Sequence, residues 1–183
     1  FGGSFDPIHN GHLATATELL TVLPLKKLVF LPAALSPLKT QSLASRHRIA
    51  MIQLAIQDNA QFELDEQELH RPQPSYTIDT LRSLRTTVGA AQPLAFILGM
   101  DSFLSLQQWR DWQQLTDFAH LIIVSRPDYA PRFDTELQQW LNNRRCNDRL
   151  LLECRAHGLV YFVTTTPYAI SSTDIRARIA LGQ

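Results

Sequence analysis

Two histidines three residues apart, His9 and His12, flank Gly11 and follow a turn written Phe1-Gly2-Gly3-Ser4-Phe5-Asp6-Pro7. Imidazole can give or take a hydrogen bond or a proton near neutral pH. The glycines let the backbone turn tightly and approach a ligand with no Cβ in the way. Asp6-Pro7 enforces an extended or turn conformation. An apolar-periodic run begins at Leu13, so a helix is expected to open near Gly11-His12. Its first N–H groups have no intrahelical partner, and they carry the positive end of the helix dipole. If the helical turn starts between them, the two rings share one face. Imidazoles beside a bed of N–H donors suit the phosphates of a nucleotide.

Three more groups lie just past short apolar runs. Lys39 follows the Lys27–Leu31 run on the loop Pro37-Leu38-Lys39, where an ammonium group could reach phosphate. Asp101 follows Leu94–Leu98 through Gly99-Met100 and suits either a ribose hydroxyl or a helix N-cap. Near the end stands Ile170-Ser171-Ser172-Thr173-Asp174-Ile175-Arg176. Ser171 with Asp174 fits a capping box. Arg176, one turn in, sets a guanidinium beside the same N–H groups, so this helix start reads as a second anion site.

The elements that must position these groups are legible from periodicity. Helices are expected over 11–23, ended by Pro24, and over 45–58, capped by Ser45 with Ile49, Ile52, Leu54 and Ile56 buried. Further helices are expected from a cap at Thr77 or Ser75 to Gly89, over 135–145, and over 171–181 with Ser171 or Ser172 as its cap, with short turns over 101–107 and 109–115. Strands are expected at 27–31 (stopped by Pro32), 94–98, 119–124 and 160–163, with one or two more within 62–69. Continuous apolar strands alternating with helices predict an α/β fold: a doubly wound, Rossmann-like parallel sheet with helices on both faces. No repeat or linker divides the sequence, so one domain over 1–183 is expected, binding its ligands at the carboxyl ends of the strands.

Composition sets bounds. The chain is 45% hydrophobic and 19% charged, with 17 basic and 17 acidic residues. Zero net charge argues against a general nucleic-acid or anionic-membrane surface, so any phosphate binding must be local. No apolar run reaches the roughly 18 residues a membrane span needs. Cys146 and Cys154 form neither a disulfide framework nor a metal pair, which fits a cytoplasmic location. Oligomeric state is left open, a homo-oligomer included.

The opening turn with His9-Asn10-Gly11-His12 resembles the signature of the HxGH nucleotidyltransferases, and Ile170–Arg176 resembles their second motif, Ile-Ser-Ser-Thr-x-Ile-Arg. The middle of the chain is similar to bacterial nicotinate mononucleotide adenylyltransferases. The supporting stretches are Pro74-Ser75-Tyr76-Thr77, Leu98-Gly99-Met100-Asp101-Ser102, Trp109 and Ile122–Pro127. This resemblance implies transfer of AMP from ATP to nicotinate mononucleotide, with pyrophosphate released in NAD biosynthesis. It implies ATP contacts at Gly3, Ser4, Phe5, His9, His12, Asp101, Ile170, Ser171, Ser172 and Arg176. It also implies nicotinate-nucleotide contacts at Ser4, Lys39, Tyr76, Thr77, Trp109, Arg110 and Arg126. Trp109 would stack on the pyridine ring, and backbone N–H groups around Thr77 and Arg110 would hold its carboxylate. Two positions depart from the family pattern: Ala33 stands where asparagine is usual, and Leu38 where histidine is common.

The expected reaction is direct. The 5′-phosphate of the mononucleotide, with a second pKa near 6, needs no general base. Catalysis then rests on positioning and charge stabilisation by His12, His9, Lys39 and Arg176, without a covalent intermediate. Mg²⁺ would be held mainly through the ATP phosphates, since no carboxylate cage for a resident metal is apparent. Acid against amide in the pyridine substrate stays open at this stage. So do relatives that use pantetheine phosphate or a cytidylyl donor, and a sensor that binds nucleotide without catalysis.

Overall fold

The computed structural model describes residues 1–34, 44–127 and 131–183. The chain packs as two compact units, one of residues 1–75 and 166–183, the other of residues 76–165.

In the first unit, strands β1 (Gly2–Gly3), β2 (Leu28–Pro32) and β3 (Phe62–Leu64) form a parallel sheet in sequential order. Gly2 pairs with Leu31, Gly3 with Pro32, and Val29 with Glu63. Parallel neighbours need crossovers, supplied by helices α1 (Asn10–Val22) and α2 (Ser45–Ile56). The core is Phe5, Ala16, Leu19, Leu28, Phe30, Ile52 and Ile56. Pro32 does not halt β2 but is its last residue, a strand end where the missing N–H costs the ladder little.

Helix α2 departs from its apolar pattern. Leu54 is 67% exposed, whereas Arg48 is buried beside Ile52 and Ile56. Ser45 lies one residue inside the helix; the N-cap is Ala44, which has no side chain to cap with. The unit's last helix, α7 (Ser172–Ala180), starts as expected. The Ser171 hydroxyl accepts from the Asp174 N–H at 3.1 Å and donates to the Asp174 carboxylate at 2.7 Å.

In the second unit, β4 (Ala95–Gly99), β5 (His120–Ser125), β6 (Arg145–Cys146) and β7 (Val160–Thr164) are parallel, ordered β4-β5-β7-β6. Ile97 pairs with Ile122, and Ile123 with Phe162. Helices α3 (Thr77–Val88), α4 (Met100–Leu104), α5 (Thr135–Asn142) and α6 (Leu151–Cys154) complete the unit, with 3₁₀ segments at 106–108 and 112–117. Leu121, Ile122, Ile123 and Val160 are wholly buried, which is why these strands read as unbroken apolar runs. Gly89 closes α3 at φ 87°. Both sheets are entirely parallel and their strands are joined through helices, as the α/β reading requires.

Candidate active site

The first unit gathers the histidines, the Gly-rich turn and the start of α7. Leaving β1, the chain passes Ser4 and turns at Phe5, whose φ of 45° is unusual for a side chain of that size. The Phe5 ring folds back over Gly3. A Cβ on Gly3 would stand 2.9 Å from its Cζ, so only glycine fits there. Phe5 also meets Phe30 edge-on at 5.5 Å and the His12 ring at 5.1 Å, while Phe1 approaches His12 at 6.4 Å. His12 is thus walled by aromatic rings on the side facing the core.

His9 is the N-cap of α1, and His12 lies three residues into the helix. Their rings stack with centroids 3.7 Å apart and planes 21° from parallel. The His9 backbone N–H donates to His12 Nδ1 at 3.3 Å. A neutral imidazole that accepts at Nδ1 must carry its proton at Nε2, so His12 presents an N–H donor through that atom. Burial drives the His12 pKa down to about 4, with His9 as a second, repulsive cause. Burial lowers His9 as well. Both rings are therefore neutral at pH 7 in the free protein: dipolar donors rather than cations or effective bases.

The segment entering α7 is bound to the same turn. The Ser172 hydroxyl donates to the Pro7 carbonyl at 2.9 Å, and Arg176 Nη1 donates to the Asp6 carbonyl. Arg176 stands 3.9 Å from the Asp6 carboxylate, which is 3% exposed. Asp6 thus works as a turn residue. Ile170 reaches the opening of α1, where a Cβ on Gly11 would come 2.9 Å from its Cγ2 and 3.1 Å from His9 Nδ1. Glu18, on α1, accepts from the Thr166 N–H at 3.0 and 3.2 Å. His9, His12, Gly3, Ser4, Phe5, Ile170, Ser171, Ser172 and Arg176 are thereby brought to one turn. Lys39 and Leu38 lie outside the described residues.

The second unit holds the remaining candidates. Tyr76 is the N-cap of α3 and Thr77 its first residue. The Arg110 guanidinium lies over the Tyr76 ring at 4.9 Å and reaches Asp79 at 4.0 Å and Asp111 at 3.9 Å. These contacts fasten the Trp109-Arg110 segment to the start of α3. Trp109 is half-buried and meets Phe96 edge-on at 6.4 Å. Asp101, within α4, and Arg126, just past β5, are exposed.

Sequence reasoning missed three positioning groups: Arg48, Glu18 and Asp79. Each reads locally as the polar face of a helix, and only tertiary contacts give it a partner. A metal ion finds no dedicated cage: among the described residues no cluster of three or more His, Cys, Asp or Glu is placed to hold one. Asp6 is engaged with Arg176, 3.9 Å from its carboxylate. Among the described residues no helix is long and apolar enough to cross a membrane.

Comparison with known proteins places the chain in a family. The cytidylyltransferase-like family matches residues 1–178. Proteins called probable nicotinate-nucleotide adenylyltransferase from Serratia proteamaculans (strain 568) and Yersinia enterocolitica are 46% and 47% identical over 180 residues, which take in 97% of this chain and 82% of each relative. Among solved structures, Plasmodium falciparum nicotinic acid mononucleotide adenylyltransferase complexed with NaAD aligns with a TM-score of 0.70 over 96% of this chain and 80% of that one. At 18% identity that likeness speaks to the fold. By the family match over residues 1–178 and by these relatives, the chain belongs to the cytidylyltransferase-like nucleotidyltransferases, among the members called nicotinate-nucleotide adenylyltransferases.

Proposed function

We propose that this chain transfers AMP from ATP to nicotinate mononucleotide, yielding deamido-NAD and pyrophosphate in cytoplasmic NAD biosynthesis. The observation that carries the reading is the His9–His12 stack at the mouth of α1, bound to the Ser172–Arg176 segment around one Gly-rich turn. It stands in a chain 46–47% identical to relatives bearing that activity in their names.

An oxygen of the mononucleotide's 5′-phosphate attacks the α-phosphorus of ATP in line. The bond to the oxygen bridging to the β-phosphorus breaks, and pyrophosphate leaves with the electron pair. The nucleophile is already ionised, so neither histidine acts as a base. A ring held near pKa 4 would in any case be a poor one. His12 instead donates from Nε2 to the α-phosphate as negative charge builds there, and the start of α1 adds its free N–H groups. Triphosphate beside the imidazoles raises their pKa again, so the donor bond strengthens when substrate arrives.

His9, Lys39, Ser172 and Arg176 hold the departing phosphates, with Gly3, Ser4, Phe5 and Ile170 shaping the turn. Asp101 serves the ribose. Mg²⁺ enters as part of MgATP, coordinated by phosphate and water. In the second unit, Trp109 stacks on the pyridine ring, and N–H groups at the start of α3 and at Arg110 take the carboxylate. Tyr76 and Arg126 belong to the same substrate.

The test is pyrophosphate release from MgATP with nicotinate mononucleotide or nicotinamide mononucleotide at equal concentration. Strong preference for the acid is expected. Preference for the amide would overturn the N–H pocket at Thr77 and Arg110 but keep the chemistry. No release with either would overturn the transfer itself.

A further inference from the structure

Arg48 is 1% exposed, on the face of α2 that also buries Ile52 and Ile56. A guanidinium goes inside only with partners. Among the described residues Arg48 meets three main-chain carbonyls: Nη1 donates to Ser4 O at 2.8 Å and to Ala33 O at 2.7 Å, and Nη2 donates to Ala34 O at 2.9 Å. A longer bond runs to the Ser45 hydroxyl at 3.4 Å. Ser4 follows β1, and Ala33 and Ala34 follow β2, so one side chain fastens the ends of both strands. Burial lowers the Arg48 pKa, and the buried Asp6 carboxylate opposes that by raising it.

Peptide geometry carries this to the ligand side. In a trans peptide the C=O and the next residue's N–H point in opposite directions. Drawing the Ser4 carbonyl onto Arg48 therefore turns the Phe5 N–H away from α2, and the Ala33 carbonyl does the same for the Ala34 N–H. Phe5 is held at φ 45°, a conformation that persists only when its surroundings over-determine it. Arg48 is one of those determinants. The Ala33 N–H in turn donates to Gly3 O at 2.9 Å, joining the two strand ends directly.

We propose that Arg48 is a positioning residue for adenylyl transfer. Through the Ser4 and Ala33 carbonyls it aims the Phe5 and Ala34 amides as donors to the nucleotide phosphates. The proposal rests on the transfer reaction above. A fork of parallel donors is what the three carbonyls need, and a lysine ammonium, though charged, cannot reproduce it.

Arg48→Lys and Arg48→Met should be compared with the unaltered chain by steady-state pyrophosphate release, by melting temperature, and by the ¹⁵N–¹H shifts of Phe5 and Ala34 during ATP titration. Arg48→Lys is expected to stay folded while kcat falls by about 10²-fold. Its KM for nicotinate mononucleotide should move by no more than about threefold. The ATP-induced shift of the Phe5 amide should disappear. Should Arg48→Met not fold, Arg48→Lys decides alone. Unchanged kcat and an unchanged Phe5 response in the lysine variant would overturn the proposal, as would a loss of rate that merely tracks the unfolded fraction. If the unaltered chain released no pyrophosphate, the transfer reading would fall. The Phe5 and Ala34 responses to ATP would still decide the role of Arg48.

Discussion

His12 is kept neutral by its neighbours, and its chemistry follows from that. Phe1 and Phe5 take away the water an imidazolium needs, and the stacked His9 would repel a second charge. With Nδ1 occupied by the His9 N–H, the proton stays on Nε2, the atom left to face a ligand. Removing one aligned donor from a transfer site typically slows the reaction by on the order of 10²-fold or more. His12→Ala is expected to lose at least that in kcat with its circular dichroism unchanged. In the free enzyme the His12 ring should not titrate between pH 5.5 and 8 by NMR, because its pKa lies at about 4. A near-normal rate in the variant would remove His12 from the mechanism. A midpoint near 6.5 in the titration would show that the aromatic wall does not desolvate the ring.

The start of α1 shows how an element can depend on the absence of a side chain. Alanine favours a helix over glycine by about 1 kcal/mol, so propensity alone predicts that Gly11→Ala stabilises. Packing predicts the opposite. The new Cβ would press on Ile170 Cγ2 at 2.9 Å and on the His9 ring at 3.1 Å, and such overpacking typically costs about 1–3 kcal/mol. Since Ile170 is 37% exposed, it can yield. The main loss is therefore expected at His9: kcat/KM for ATP down about tenfold or more, with a melting temperature lowered by a few degrees at most. A raised melting temperature with unchanged kcat/KM would mean that the helix mouth has room to spare. Gly11, His9 and His12 stood out in the sequence because their types and spacing are rare. Ser171 and Asp174 did so because capping is local. Arg48 did not: the rule that buries the apolar face of α2 put Leu54 inside and Arg48 outside, and only the carbonyls of distant turns reverse them. The two-residue strand β6 and the one-turn helix α6 are too short to carry a period at all.

Across the whole molecule, the parallel strands were legible because burial on both faces leaves an unbroken apolar run, as in Leu121–Ile123. A polar residue inside such a strand is harder to read. His120 opens β5 and is wholly buried. Its Nε2 donates to the Arg155 carbonyl at 2.9 Å, and its Nδ1 accepts the Leu159 N–H at 3.1 Å. Only the neutral ring satisfies both bonds, since protonation would set N–H against N–H. Burial lowers its pKa first; the bond to the Arg155 carbonyl opposes this, and the nearby charges of His157, Arg85 and Arg155 lower it further. With His9 and His12 in the other unit, three histidines thus resist protonation when folded. Unfolded histidines take up protons as pH falls through about 6.5. Below that value the unfolded chain binds more protons than the folded one, so stability is fully present above about pH 6.5 and declines as the pH drops toward the folded values, about 4 for His12. Each ring contributes a slope of up to about 1.4 kcal/mol per pH unit in that window. The urea midpoint should therefore be lower at pH 5.5 than at pH 7.5, before most carboxylates begin to titrate. Amide protection factors in α1 and β5, which correct for the slower intrinsic exchange at lower pH, should fall over the same range, reading each unit separately. A flat midpoint from pH 7.5 to 5.5 would mean that these rings titrate alike in the folded and unfolded chain. The neutral His12 donor assigned to the transfer step would then lose its physical basis.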